Sequence, residues 1–155
     1  MSGAKGRLKL LSLYASAFIA VGFVPAFLYY LAASSPFLQY LYLLVWAVGL
    51  ASDAYTTFRL HRRYPGGLEL YERSGYFKRL YRRFGFWAGL AAFIVLVELP
   101  LACTISFFVI PAAEGVFGAF SPHPDAGARL ASSLAFFGLT HLSAVPSNLK
   151  FEPKP

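Results

Sequence analysis

Cysteine occurs once, at Cys103, so no disulfide can form within the chain and a bridge-stapled mini-protein fold is excluded. Side-chain amides are almost absent: Gln39 and Asn148 stand alone among 155 residues, and there is a single methionine. That depletion of heat-labile residues points towards a thermophilic source. Charge is also scarce. Only 14% of residues are Asp, Glu, Lys or Arg, against about a quarter in an average soluble domain. No Walker loop, Gly-rich dinucleotide fingerprint or serine-nucleophile elbow is present, which leaves nucleotide-driven and serine-hydrolase chemistry without a motif. No internal repeat and no low-complexity tail breaks up the chain.

Apolar residues fill the space. They make up 57% of the chain, aromatic residues alone 18%. Four stretches reach the length of about 20 largely apolar residues that a membrane-crossing helix needs: 10–33, 37–58, 84–111 and 130–149. The first is too long, and too aromatic at its end, for a cleaved signal peptide, and no small-residue cleavage site follows it, so it reads as a retained helix. The prediction is an all-α, polytopic membrane protein: a single domain over 1–155, four transmembrane helices in a compact bundle.

The net charge of +7 would suggest nucleic acid in a soluble protein, but no nucleic-acid-binding motif accompanies it. Its placement is more informative. With four spans, every basic residue except Arg129 falls on one side: Lys5, Arg7 and Lys9 before the first span, eight in 59–83, and Lys150 and Lys154 after the last. Such asymmetry marks the cytoplasmic face, so both termini are expected there and the chain is expected to be a multi-pass protein of the cell membrane. Tyr29, Tyr30, Tyr40, Tyr42, Trp46 and Trp87 sit mostly near span ends, as an aromatic belt would.

After the Tyr64-Pro65-Gly66-Gly67 turn signal, Phe77, Leu80, Tyr81 and Phe84 recur at helical spacing. Lys78, Arg79, Arg82 and Arg83 fill the opposite face. This basic amphipathic segment, within 59–83, suits an anionic lipid surface; docking a soluble partner, or forming the first turns of the third span, are the alternatives. Outside, Asp125 is a candidate helix cap with Arg129 four residues on. His123 lies between two prolines without ligand partners, a poor metal site.

Three ionisable residues interrupt the apolar stretches: Asp53, Glu98 and His141. Such residues are costly in hydrocarbon and usually face protein or a wet cavity. Thr57 lies on the face of Asp53, and Asn148 on that of His141, and these five form the candidate ligand-binding set. Counting about 1.5 Å per residue from the flanking basic residues puts Asp53 roughly 9 Å deep, His141 roughly 13 Å and Glu98 roughly 22 Å. Asp53 and His141 can therefore be neighbours, while Glu98 is expected about 10 Å farther out, giving a ladder rather than one coordination shell. The stretches hold no ligand pair at i, i+3 or i, i+4 and only one histidine, so neither a metal nor any other cofactor is expected. Pro100 leaves the carbonyl of Leu96 without its helical donor, and a Glu98 holding its proton in hydrocarbon is one candidate to replace it. Pairing with Arg59, Arg62 or Arg63 is an alternative for Asp53, and a plain inter-helix hydrogen bond for His141.

"SDAYTTFRLHRRYPGG", "VELPLA" and "AVPSN" together resemble the four-helix domain shared by the sterol isomerase and the sigma-two receptor. The matching residues are Asp53, Tyr64-Pro65, Glu98-Leu99-Pro100 and Pro146. The resemblance implies a buried acidic pocket for a sterol-like or other hydrophobic cationic ligand. The chain departs from that pattern in having a helix in front, in ending where the family has another, and in the charge of the Tyr-Pro loop. Asp53-x-x-Thr56-Thr57 is also similar to a pattern in small uncharacterised prokaryotic four-helix membrane proteins. The leading expectation is a non-enzymatic membrane protein whose polar ladder binds a small hydrophobic ligand, an ion or a proton, working as a homo-oligomer or a complex subunit. A lipid or sterol-like isomerase using Glu98 as acid and base, and a structural accessory subunit, are the alternatives.

Overall fold

A computed structural model describes residues 21–33, 35–64, 74–117 and 125–150. The expectations for 10–20, for the turn beyond Tyr64, for the loop holding His123 and for the tail after Lys150 lie outside the described residues. Every regular element among those described is a helix: α1 (Val21–Ala32), α2 (Pro36–Arg63), α3 (Gly75–Phe84), α4 (residues 86–117) and α5 (Ala126–Leu149).

The helix ends follow from local chemistry. Ser35 caps α2, its hydroxyl accepting from the amide of Leu38, with Pro36 in the first turn and His61, Arg62 and Arg63 in the last. Ser74 caps α3 in the same way through the amide of Phe77. α3 stops at Gly85, whose φ of +79° is a conformation side-chain-bearing residues rarely adopt. The basic segment is therefore a separate helix and not the first turns of the next one, which begins at Phe86. It doubles back onto α4 closely enough that a Cβ on Gly89 would meet the backbone nitrogen of Tyr81 at 2.9 Å.

α4 contains two wide π turns, Ile94–Glu98 and Ile105–Val109. Each ends two residues before a proline, Pro100 and Pro111. A proline has no N–H and crowds the carbonyl four residues back, so the ladder must open there. Here it does so by i→i−5 bonds, Leu99 N–H to Ile94 and Ile110 N–H to Ile105. The rearrangement is made within the backbone; the Glu98 carboxyl turns elsewhere rather than to the Leu96 carbonyl.

Contacts fix the directions. Gln39 meets Asp125, Asp53 meets His141, and Thr57 meets Asn148, so α2 and α5 run parallel. Glu98 meets His141 and Ser106 meets Ser133, eight residues apart on each helix, so α4 is antiparallel to α5. α2 and α5 touch backbone to backbone: a Cβ on Gly49 would lie 2.3 Å from the Gly138 carbonyl oxygen, and one on Gly138 would lie 2.5 Å from Trp46 Cα. At the Asp125 end, Tyr29, Ala32, Tyr42, Ile105, Ile110 and Ala135 form a buried apolar cluster.

Outside that cluster the usual distribution is inverted. Glu98, Ser106, Ser132, Ser133, Thr56 and Thr57 are buried, while Phe37, Tyr40, Phe108, Leu96, Val95 and Phe23 are half to three-quarters exposed. A monomer in water rarely leaves that many large apolar side chains outside. α2 and the Phe86–Gly115 stretch of α4 are long and apolar enough to cross a membrane. α5, at 24 residues, has the length, but its serines, Thr140, His141 and Asn148 lower its hydropathy. The described part of α1 is shorter.

Asp125 does cap α5, accepting from the amides of Gly127 and Ala128 at 2.8 and 3.1 Å. Its other oxygen takes the Gln39 amide at 2.8 Å. With both oxygens engaged, Arg129 pairs instead with Glu114 at 2.8 Å and lies over the Tyr29 ring. The Ala128 amide, then the Gln39 amide, hold the Asp125 carboxyl below its ordinary range. A lowered folded-state value means the contribution is present above the ordinary carboxylate range and is lost as pH falls through the lowered value. Asp125→Ala is expected to cost about 1 kcal/mol in thermal unfolding near neutral pH, and the difference from the parent should shrink in acid. Gly138→Ala and Gly49→Ala should each destabilise by about 1–3 kcal/mol through forced helix separation. Gly115→Ala, whose new methyl meets nothing within 4 Å, should instead stabilise by about 0.5–1 kcal/mol.

Candidate functional site

Halfway along the bundle, three helices each contribute one ionisable side chain to a continuous chain of contacts. His141 of α5 places Nδ1 2.8 Å from Asp53 Oδ2 of α2 and Nε2 3.2 Å from Glu98 Oε2 of α4. The expected gap of about 10 Å between Glu98 and the other two is absent. Three features close it. Arg83, the origin of the count, belongs to α3 beyond the Gly85 break. The first π turn, ending on Glu98 itself, winds more residues into the same rise and re-aims the carboxylate at α5. The two side chains then span what remains.

Both ends of this chain are satisfied by donors. Trp46 Nε1–H donates to Glu98 Oε1 at 2.6 Å. Asn148 Nδ2 lies 2.9 Å from Asp53 Oδ1 and 3.1–3.2 Å from the Thr57 and Thr56 hydroxyls. Thr57 Oγ1, one turn after Asp53, donates to Asp53 Oδ1 at 3.3 Å. Asp53 is thus held by His141, Asn148 and Thr57, and no arginine pairs with it among the described residues. Trp46 counts with the aromatic belt in the sequence but also shares the helix face of Asp53, seven residues on, and that shared face is the signal that it belongs here.

The geometry sets a minimum proton count. Each of the two His141 contacts needs a hydrogen between nitrogen and oxygen, so at least two hydrogens are shared among three basic groups. Imidazolium between two carboxylates, or neutral imidazole beside one carboxylic acid, both satisfy this, and both leave the trio with one negative charge. A third proton would make it neutral. Glu98 is 2% exposed, and an isolated buried charge is expensive.

Next to it lies a half-open cavity of about 170 Å³. Asp53, Thr57, His141 and Ser74 give its polar wall; Phe77, Phe86, Phe93, Leu50 and Leu90 give the apolar one. Glu98 is not among the lining residues and lies behind His141. Among the described residues no group of three or more His, Cys, Asp or Glu is arranged to hold a metal ion; in the trio both His141 ring nitrogens are turned to carboxylate oxygens. Lys78, Arg79, Arg82 and Arg83 lie apart from the trio on α3; Arg79, Arg82 and Arg83 are exposed and Lys78 half-buried, while Phe77 anchors that helix inward. Ser106 and Ser133, whose hydroxyls are 2.8 Å apart, form a second tie between α4 and α5 that the sequence reading missed.

Compared with protein-family models, curated proteins and solved structures, the chain matches none.

Glu98→Gln keeps an oxygen for Trp46 and an amide that can face a neutral His141, and should leave the melting temperature within a few degrees of the parent. Glu98→Leu strands both the Trp46 N–H and the His141 nitrogen, and should cost about 1–3 kcal/mol for each buried group left unpaired. Comparing the two melts in one detergent checks this.

Proposed function

We propose that the chain is a multi-pass membrane protein of four spans, with its termini and the basic segment at the cytoplasmic face, whose interior Asp53–His141–Glu98 chain binds a proton without catalysing a reaction. The observation that carries the reading is one imidazole held between two carboxylates at the centre of a bundle whose outer face is apolar. In water such a bundle would expose its most hydrophobic side chains; in lipid the same surface is the favourable one. Inside lipid, an ionisable trio that keeps one negative charge has no solvent to hide in, and proton uptake relieves that charge.

The cavity extends the reading to a small ligand. Its polar wall belongs to the trio and its other wall is aromatic and aliphatic, a combination suited to a small molecule with a polar head and an apolar body. The isomerase reading, with Glu98 as acid and base, is supported less well, because His141 stands between Glu98 and the cavity. The exposed arginines of α3 suit anionic headgroups at the cytoplasmic surface, and the unpartnered apolar exterior is compatible with a homo-oligomer or with a larger membrane complex.

Cys103 is the chain's one cysteine, so a Cys103→Ser background makes both halves of the reading testable. Single cysteines at Arg79 and Gly115 should show opposite sidedness to an impermeant thiol reagent in sealed vesicles; labelling of both from one side overturns the topology. In detergent, a full pH titration of the folded parent should take up about one proton more than that of Glu98→Gln. Equal uptake overturns the proton-binding role.

A further inference from the structure

Glu98 is sealed from the Asp125 end of the bundle. Ala102, Ile105, Leu134 and Ala135 are each buried to 95% or more between it and that end. The next polar groups there, Ser106 and Ser133, are already bonded to each other and to the carbonyls of Ala102 and Arg129. Towards the other end, the polar group bonded to Glu98 among the described residues is His141, which is itself part of the cavity wall. The cavity runs past Asp53 and Thr57 to Ser74, at the foot of the basic helix α3.

A carboxyl so placed exchanges protons through whichever neighbour is wet. An imidazole with its two nitrogens on different acceptors passes a proton by taking one at one nitrogen and giving one up at the other. We propose that Glu98 is a dead-end proton store, loaded from the basic-segment side alone. A proton enters the cavity and binds Asp53; one taken at Nδ1 of His141 is matched by one released from Nε2 to Glu98 Oε2. One proton enters and none leaves, so the trio passes from one negative charge to none. No second exit exists among the described residues, and the site therefore senses the pH of one compartment and does not conduct between two.

The groups facing the trio are few. Asp53 comes from α2 and His141 from α5; α3 presents Ser74 and Phe77 to the cavity, and neither is charged. His61 lies beyond Phe86, stacked on that ring and bonded to Tyr81. A pH response from this site is thus assigned to Asp53, His141 and Glu98.

This inference rests on the proposed membrane topology and proton binding, and the experiment separates the two. Trp46 and Trp87 are the only tryptophans, and Trp46 donates directly to Glu98, so Trp87→Phe leaves an emission that reports the charge on Glu98. In detergent, that emission should shift with pH, and Glu98→Gln should abolish the shift. In vesicles of uniform orientation, a pH step on the basic-segment side should reproduce the shift, and one on the opposite side should not. His141→Gln should slow the response about a hundredfold or more, which a merely structural histidine would not do. Equal response from both sides overturns the dead end and leaves proton binding standing. No response in detergent overturns both. An unchanged rate in His141→Gln overturns the route.

Discussion

The position of His141 depends on a contact that contains no polar side chain at all. α2 and α5 approach until Gly49 and Gly138 meet backbone to backbone. Only at that separation does an imidazole on α5 reach a carboxylate on α2 at 2.8 Å while its other nitrogen reaches α4. Small residues at such crossings are what membrane bundles use where lipid supplies no hydrophobic drive for helices to associate. The glycine pair stands one turn of α5 before His141 and one turn of α2 before Asp53, so the crossing and the polar chain form one unit. Separating the helices by a methyl group would weaken the His141 and Asn148 contacts to α2.

The third helix reaches the same point by a different device. α4 carries two prolines, and each is preceded by a π turn whose last or second residue faces α5 with a polar side chain: Glu98 in the first, Ser106 in the second. A regular α-helix through Pro100 would leave a carbonyl unpaired against the ring. The wide turn absorbs that defect and at the same time rotates the residue before it. π turns are often found at functional sites for this reason, since they re-aim one side chain without ending the helix. The coincidence of proline, π turn and polar contact at both places makes the prolines part of the site's construction.

Much of this was legible in the chain, and the part that was not has a definite cause. Hydropathy located α2, α4 and α5 but not their ends. α2 runs on through 59–63, expected in the basic segment; α4 runs past 111 to Phe117, and α5 starts at Ala126 rather than 130. The Asp125 cap followed from its position before an apolar run. That Asp53 and His141 can be neighbours followed from their similar depths; the Asn148 contact with Asp53 did not, since Asn148 counts as nearer the surface. Glu98 did not, because depth counting assumes a continuous α-helix, and 75–98 contains both a break at Gly85 and a π turn. Neither the Ser106–Ser133 tie nor the role of Trp46 follows from periodicity alone, since serine and tryptophan each have common alternatives in an apolar helix. Helical period shows which residues share a face; it does not show which neighbouring face they meet.

The two ties between α4 and α5 can be weighed against each other. Ser106 and Ser133 join the helices with neutral hydroxyls that are fully satisfied by each other and by backbone carbonyls. Glu98 and His141 join the same helices eight residues away with ionisable groups in contact with Asp53, although Glu98 is almost wholly buried. If holding helices together were all that was required, the serine solution is already in use and avoids the desolvation that buried charge incurs. Trp46, Asn148 and Thr57 lower that penalty by donating to the carboxylates but do not neutralise them. A fold that places an ionisable trio beside a half-open cavity takes on a desolvation cost that a neutral pair avoids. That excess is the physical argument for reading the trio as a site that changes its protonation, and the serine pair as the clamp.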